Sequence, residues 1–335
     1  MSFSYFAYGL HLCSNLAIAR LNESSTSSAV DVQVSLGHLP PLLSESRKGE
    51  EEVFYLSPEI EDEEGNPRVV MSKSSAGSYF RIRYGDGAEF LIDEPGTQVW
   101  GAWLDKLSLE DVLVFLLGPI MGFVLRQRGL TSLHASAVAI DNRAIVFIGP
   151  PGAGKSTTAA TFALQGHSVI SDDIVPLLDR GNVFEVPSGY PCVCLWPESV
   201  KSLYGSLDIL PLLTPTWDKR YLPLGNAEHR FQREPLPLGA VYVLGDRCIE
   251  PARPLVEPVP AGKALIALVA NTYMNYLLDS GLRAREFGFL GKVVQNVPVR
   301  KILPHADPIY LTRLSEIIVQ DFRSLMTSND MTHTR

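Results

Sequence analysis

The sequence predicts an α/β protein with two domains, and three observations lead to this fold class. The chain has 335 residues, which is more than a single hydrophobic core usually serves. Short apolar runs separated by turn residues fill residues 1–105, so we expect a β-rich N-terminal domain there. Strand-like and helix-like patterns alternate over residues 106–326, which is typical of an α/β domain, and the polar tail at 327–335 is expected to be frayed.

Composition narrows the class of protein. Hydrophobic residues make up 46% of the chain and charged residues 20%, as in a soluble globular protein. The net charge of -8 argues against a nucleic-acid partner, because the phosphate backbone is itself negative. The four cysteines show no C-x-x-C spacing, so we expect reduced thiols and a cytoplasmic location. The most apolar stretch, residues 112–125, is shorter than the roughly 20 residues that cross a membrane, so no membrane association is expected.

Regular elements are predicted on both sides of a glycine-rich segment. The pattern of residues 108–128 predicts a helix, with Ser108 and Asp111 as a capping box. Residues 135–140 and 144–148 form two strand-like runs joined by a polar turn. The later elements predicted from periodicity are a helix at 155–165, strands at 167–170, 239–244 and 297–303, and helices at 261–279 and 308–322.

The glycine-rich segment at residues 149–156, GPPGAGKS, matches the phosphate-binding pattern G-x-x-x-x-G-K-[ST] at every fixed position. Glycine lets backbone N–H groups approach phosphate oxygens, the lysine reaches the terminal phosphates, and the hydroxyl binds Mg²⁺. The segment lies between a strand-like run and a helical pattern, as this P-loop chemistry requires. It therefore predicts a site for ATP and Mg²⁺. The expected nucleotide contacts are Gly149, Gly152, Ala153, Gly154, Lys155, Ser156 and Thr157.

Two adjacent carboxylates, Asp172 and Asp173, follow the strand-like run at 167–170. We expect this strand to lie beside the strand that leads into the P-loop, so that both carboxyl ends meet at one edge of the sheet. A P-loop needs a carboxylate near Mg²⁺, and phosphoryl transfer needs a group that orients or deprotonates the acceptor. The pair is therefore a candidate for both functions.

The motifs together resemble the HPr kinase/phosphorylase family, whose catalytic domain is similar to that of phosphoenolpyruvate carboxykinase. The matching pieces are Leu133-His134, the P-loop, Gln165-Gly166-His167 and Ser171-Asp172-Asp173, which together span about residues 133–175. The resemblance implies a C-terminal P-loop kinase domain of this type. It also implies that Asp172 is the catalytic base, that Asp173 helps to hold either Mg²⁺, together with Ser156, or the acceptor, and that His134 lies near the transferred phosphoryl group. The family's glutamate-containing segment, tied to phosphorylase activity, is not recognisable after Asp173.

The layout also resembles HPr-kinase-like proteins encoded with peptide-modification systems, among them the lasso-peptide kinases. Its matching pieces are Tyr8-Gly9-Leu10, Arg128-Gly129, Leu133-His134-Ala135-Ser136 and Leu195-Trp196-Pro197. This resemblance implies an ATP-dependent kinase that phosphorylates a serine hydroxyl of a peptide or protein, including a ribosomally made precursor peptide. The wider family also makes a homo-oligomer an open expectation.

A basic cluster lies in the proline-rich stretch that follows: Lys219, Arg220, Arg230 and Arg233. A guanidinium matches phosphate or carboxylate oxygens and a lysine neutralises charge, so Lys219 and Arg220, at the edge of a loop that could close over the site, are the favoured pair. We expect Arg220, with Lys155 and the metal, to stabilise the charge that moves during transfer. Two other functions stay open because nothing in the P-loop identifies the acceptor. They are a small-molecule kinase and a non-catalytic module whose partner binding is controlled by nucleotide.

Overall fold

The structure, a computed structural model, describes most of the chain: residues 2–24, 28–40, 51–60, 65–74, 78–249, 254–277 and 279–332. The chain divides into two compact units, Met1–Leu130 with Thr214–Thr216, and Thr131–Leu213 with Trp217–Arg335. Helices and strands are mixed, so the α/β prediction is confirmed at that level. The helical segment that precedes Leu130 falls in the first unit, whereas the sequence predicts that the second domain begins at residue 106.

The first unit is built on an eight-stranded sheet. Its strands are β1 Phe3–Ala7, β2 Leu10–Ser14, β3 Val32–Leu36, β4 Glu51–Leu56, β5 Val69–Ser74, β6 Tyr79–Tyr84, β7 Ala88–Asp93 and β8 Gln98–Trp103. They lie in the order β1-β2-β3-β8-β7-β6-β5-β4. Strand β3 pairs in parallel with both β2 and β8, and the other pairs are antiparallel.

The predicted helix at 108–128 is present but interrupted. It consists of α1, Leu109–Phe115, a π-helical turn, Leu116–Ile120, and α2, Met121–Gln127. The interruption lies at Gly118 and Pro119, because proline has no N–H to donate and glycine tolerates the non-helical backbone found there. The predicted capping box is formed: Ser108 caps α1 and exchanges hydrogen bonds with Asp111.

Replacing the cap is expected to destabilise the first unit. Ser108→Ala removes the hydroxyl that accepts from the Asp111 N–H and donates to its fully buried carboxylate, so we expect the free energy of unfolding to fall by about 1–2 kcal/mol. Chemical denaturation of the purified variant measures this. Ser324→Ala, in an exposed helical position, is the matched control and should change little. An unchanged unfolding midpoint for Ser108→Ala would contradict the role of the cap.

The second unit contains a nine-stranded sheet and a separate two-stranded pair. The sheet strands are β9 Ser132–Ile140, β10 Arg143–Ile148, β11 Val169–Ser171, β12 Ile174–Pro176, β13 Leu178–Asp179, β14 Phe184–Val186, β17 Leu236–Leu244, β18 Leu255–Pro258 and β19 Val299–Leu303. The pair is β15 Cys192–Leu195 and β16 Arg220–Pro223. The helices are α3 Lys155–Leu164, α4 Pro197–Tyr204, α5 Ala261–Ala270, α6 Ser280–Asn296 and α7 Leu311–Thr332.

The strand order brings the ends of β10 and β11 to one edge of the sheet. Strand β9 lies between them and is antiparallel to both, so β10 and β11 run in the same direction. The prediction that the strand before the aspartates lies beside the strand before the P-loop is therefore wrong, because β9 fills that place. The carboxyl ends of β10 and β11 nevertheless lie at the same edge of the sheet, because two strands that are antiparallel to a common neighbour end on the same side. On its other side β10 pairs in parallel with β17, which pairs in parallel with β19.

Helices cover the two faces of this sheet with separate apolar cores. On one face Phe162 of α3 stacks on Phe147 of β10 at 5.5 Å between ring centroids, and Phe322 of α7 belongs to the same core. On the other face Leu268 of α5 and Val293 of α6 pack in the core that contains the inner strands. This two-sided burial fixes the sheet, and with it the loops at its edge.

The helices of the second unit differ from the prediction at three places. The predicted helix 261–279 ends at Ala270, and α6 was not predicted, because its glycines and charges obscure the buried face at Leu290 and Val293. Helix α7 continues to Thr332, past the predicted end at 322 and into the tail expected to fray; residues 333–335 lie outside the described part. Within the described residues, no helix combines the length and hydropathy needed to cross a membrane.

Candidate functional site

A cavity of about 470 Å³ opens where the chain leaves the ends of β10 and β11. The glycine-rich loop that follows β10 forms one wall, and His134 and Asp173 lie in the same lining. Further lining residues come from distant parts of the second unit: Cys194, Trp196, Glu198, Ser199, Lys219, Arg247, Pro304, His305, Ala306, Pro308 and Leu311. The cavity lining therefore comes from segments that lie up to slightly more than half of the chain length apart.

The loop Gly149–Gly154, which we call the glycine loop, depends on its glycines for its shape. Gly152 and Gly154 have φ angles of 80° and 100°, in the left-handed region that residues with a Cβ rarely adopt. Gly154 is also the N-cap of α3, so the unpaired N–H groups of the first helical turn follow it directly. An anionic ligand such as phosphate suits this combination of free amides and helix N-terminus.

Lys155 folds back over the glycine loop. Its Nζ donates to the carbonyl oxygens of Gly149 and Pro150 at 2.9 and 3.3 Å, and the residue is only 7% exposed. Burial lowers the pKa of Lys155, while the negative charges of Asp173 and Asp172 act in the opposite direction. The ammonium is therefore anchored on the glycine loop, and the two carboxylates act on it through their charge.

Asp172 lies below the cavity surface, with its carboxylate already engaged. The residue is 4% exposed; one carboxylate oxygen accepts from Ser136 Oγ at 2.6 Å and the other from the Cys194 N–H at 3.0 Å. The side chain of Ser156 is hydrogen-bonded to it as well. Burial raises the pKa of Asp172 above its ordinary value, and these hydrogen bonds offset only part of the rise.

Asp173 reaches the cavity, in contrast to its neighbour. Its backbone is left-handed, with φ 70°, a conformation that aspartate tolerates better than most residues. Its side chain is 45% exposed, lies 3.3 Å from His134 Nε2 and accepts from Tyr273 Oη at 3.2 Å. Burial alone would raise the pKa of Asp173, but the hydrogen bond and charge of His134, with the charge of Lys219, hold it below the ordinary value.

Asn271 ties the glycine loop to His134, and sequence reasoning missed it. Its side-chain oxygen accepts from the Gly149 N–H at 3.0 Å, and its backbone carbonyl accepts from the His134 N–H at 2.8 Å. The residue is the C-cap of α5. The sequence predicts a helix that continues to residue 279, which places Asn271 inside it, and an asparagine within a helical pattern does not indicate a site.

The basic cluster contributes one residue to the cavity. Lys219 lines it, and its Nζ lies 4.8 Å from the ring centroid of Trp196. Arg220, which the sequence favoured as the charge-stabilising residue, does not line the cavity, nor do Arg230 and Arg233. Arg220 begins β16 and pairs with Leu195 instead.

The other predicted nucleotide contacts also lie at the cavity, except for Gly149, which is behind its lining. Thr157 lines it, and its hydroxyl is 2.8 Å from Ser199 Oγ. Ser156 lines it and contacts Asp172. Among the residues that the structure describes, no group of three or more histidine, cysteine or acidic side chains could by itself hold a metal ion. A metal here would take few protein ligands, as Mg²⁺ does when phosphate and water oxygens complete its shell.

Comparison with known proteins adds a sequence relative. Over 169 residues the chain is 27% identical to HPr kinase/phosphorylase of Prosthecochloris aestuarii (strain DSM 271 / SK 413), a match that covers 46% of this chain and 46% of the relative. The chain thus spans somewhat less than half of that relative's length. No family model matches the chain. The solved structure of the HPr(Ser) kinase/phosphatase from Coxiella burnetii aligns at 17% identity with a TM-score of 0.34, over 61% of this chain and 96% of that chain.

The sequence match supports an HPr-kinase-like family, and the resemblance predicted from the motifs is confirmed at that level.

Proposed function

We propose, on the premise of an HPr-kinase-like chain, that the protein transfers the γ-phosphoryl group of ATP to a serine hydroxyl of a peptide or protein. The observation that carries the proposal is that the glycine loop, Lys155 and Asp173 line one cavity. The sequence relative is named HPr kinase/phosphorylase, which supports the same class of reaction, phosphoryl transfer. A ribosomally made precursor peptide, as in the lasso-peptide systems, is the acceptor that the sequence layout favours.

The glycine loop and α3 are proposed to bind the phosphate chain. The backbone N–H groups of Gly152, Gly154 and the first turn of α3 donate to phosphate oxygens, and Lys155 exchanges its loop carbonyl partners for the terminal phosphates. Because the ammonium is already held over the loop, little reorganisation is needed when the nucleotide enters. Most of the rate enhancement then comes from positioning and charge stabilisation.

We assign the two aspartates in the reverse of the roles that the family resemblance implies. Asp173 is the residue that orients or deprotonates the acceptor hydroxyl, because a base must reach the proton that it removes and Asp173 lines the cavity. Its lowered pKa keeps the carboxylate ionised at neutral pH. Asp172 is a positioning residue instead, because three hydrogen-bond donors already engage its carboxylate.

The residues present fit a single Mg²⁺ bound together with nucleotide. The Ser156 hydroxyl would hold the ion, and Asp172, hydrogen-bonded to that hydroxyl, orients it and supplies negative charge. When bound, the metal would neutralise negative charge on the phosphates. Asp172 is buried and Ser156 lines the cavity, so their hydrogen bond orients the hydroxyl from below.

Lys219 takes the role that the sequence gave to Arg220. A cation near the transferring group stabilises the charge that develops there, and Lys219 is the member of the basic cluster that lines the cavity. The ring of Trp196 beneath its ammonium limits the positions that this flexible side chain adopts. His134, in contact with Asp173, completes the group at the acceptor end.

The test is a transfer assay with mass detection. The protein is incubated with ATP, Mg²⁺ and serine-containing peptides, including any precursor peptide encoded beside it, and the products are weighed by mass spectrometry. We expect one peptide to gain one phosphoryl group, and its Ser→Ala counterpart to gain none. Phosphorylation of a small hydroxyl compound but of no peptide would contradict the peptide acceptor and indicate a small-molecule kinase. Nucleotide binding without any transfer would contradict the kinase proposal.

A further inference from the structure

Arg247 lines the cavity but has no role in the mechanism proposed above. It lies just beyond the end of β17, more than 90 residues after the glycine loop, and lines the same cavity. A Cβ built on Gly154 would lie 3.6 Å from Arg247 Nη2. The guanidinium therefore lies beside Gly154, the residue that caps α3.

The backbone around Arg247 is fixed by the opposite segment of the cavity wall. The Cys248 N–H donates to the Pro304 carbonyl at 3.0 Å, and the Ala306 N–H donates to the Cys248 carbonyl at 2.9 Å. His305 Nε2 lies 3.1 Å from the Ile249 carbonyl oxygen. Arg247 thus projects from an anchored segment, and its head group reaches the glycine loop.

The guanidinium has no partner of its own within the described residues. Neither a hydrogen bond nor an ion pair is formed by its side chain, although Glu198 and Asp173 line the same cavity. Lys155 and the N-terminus of α3 lie nearby and are both positive. A fork-shaped cation beside two other positive groups, with its donors free, matches a multiply charged anion better than any protein group present.

We propose that Arg247 binds the phosphate chain of the nucleotide, together with the glycine loop and Lys155. The inference rests on the proposed function, because it places one more ligand around the same phosphates. The side chain is exposed in the free protein, so its donors exchange water for phosphate oxygens on binding. Arginine is suited to this role because its planar fork meets two oxygens at once.

The test compares ADP with tripolyphosphate, a ligand that keeps the phosphates and lacks the nucleoside. Both are titrated calorimetrically into the wild-type protein and into Arg247→Gln in the presence of Mg²⁺. We expect the variant to bind both ligands about 10- to 100-fold more weakly, by a similar factor, because the lost contacts are charge-assisted hydrogen bonds to phosphate. Arg247→Lys should recover part of the loss, since it keeps the charge but not the fork.

Control measurements distinguish a failure of the Arg247 proposal from a failure of the proposed kinase function. Arg323→Gln removes an exposed arginine that pairs with Asp141, and neither residue lines the cavity. This variant should bind both ligands as the wild type does. Thermal unfolding shows whether each variant is folded. Equal affinities of wild type and Arg247→Gln, or a loss for ADP alone, would overturn the role of Arg247 and leave the kinase proposal intact. Wild-type protein that binds neither ligand would overturn both.

Discussion

Lys155→Met is expected to lower the rate of phosphoryl transfer by about 10²–10³-fold. The same substitution is expected to weaken the binding of Mg-ADP. Methionine keeps the length and apolar stem of the side chain but removes the ammonium, which the glycine loop holds at 2.9 Å from the Gly149 carbonyl. The phosphates then lose their nearest positive charge in a buried site, where charges are poorly screened.

Binding is measured by calorimetric titration of Mg-ADP, and transfer by the mass assay with the accepted peptide. Lys292→Met is the matched control: this lysine is exposed on α6 and pairs with Asp179 at the surface, so its loss should leave both quantities unchanged. A Lys155→Met protein that binds Mg-ADP and transfers the phosphoryl group as the wild type does would remove Lys155 from the mechanism.

Asp173→Asn is expected to reduce transfer by about 10²–10⁴-fold while nucleotide binding stays equal or becomes tighter. Asparagine is isosteric and keeps a hydrogen-bonding oxygen, but it no longer accepts the proton of the acceptor hydroxyl. The removed negative charge also acts on Lys155, so phosphate meets less repulsion in the variant. The combination of lost turnover and retained binding is specific to a residue that acts on the acceptor.

Asp172→Asn provides the comparison, since it alters the neighbouring carboxylate in the same way. We expect it to weaken the Mg²⁺ dependence of nucleotide binding through Ser156, with a smaller direct effect on the acceptor step. The opposite pattern, with turnover lost only in Asp172→Asn, would restore the roles that the family resemblance implies. Transfer that continues unchanged in both variants would favour a module that binds nucleotide without using it.

The local parts of the site were predictable because each is contiguous in the sequence. The glycine loop is recognisable from its spacing, and the pair Asp172-Asp173 from its place after a strand-like run. The capping box at Ser108 is another short-range pattern, and it is formed as predicted. In each case the residues that interact are neighbours or lie within one helical turn.

The parts that the sequence did not predict depend on pairing between distant segments. Strand β9 inserts between β10 and β11, which no periodicity shows. Asn271 reaches Gly149 only because α5 ends beside the loop, and Arg247 reaches Gly154 through the parallel pairing of β17 with β10. Such contacts are set by sheet order and not by spacing along the chain.

The choice between Lys219 and Arg220 illustrates the same limit on a smaller scale. Both are basic and adjacent, so composition does not separate them. Successive side chains in extended backbone point to opposite sides, so only one of two neighbours faces a given cavity. The structure shows Lys219 in the cavity lining, with its ammonium over Trp196, whereas Arg220 begins β16 and does not line the cavity.

The most direct measurement is a crystal structure of the protein with Mg²⁺ and a non-hydrolysable ATP analogue. We predict that the triphosphate lies on the glycine loop with its γ-phosphate between Lys155 and the open side of Asp173. A nucleotide bound elsewhere, or a γ-phosphate turned away from both carboxylates, would contradict the account.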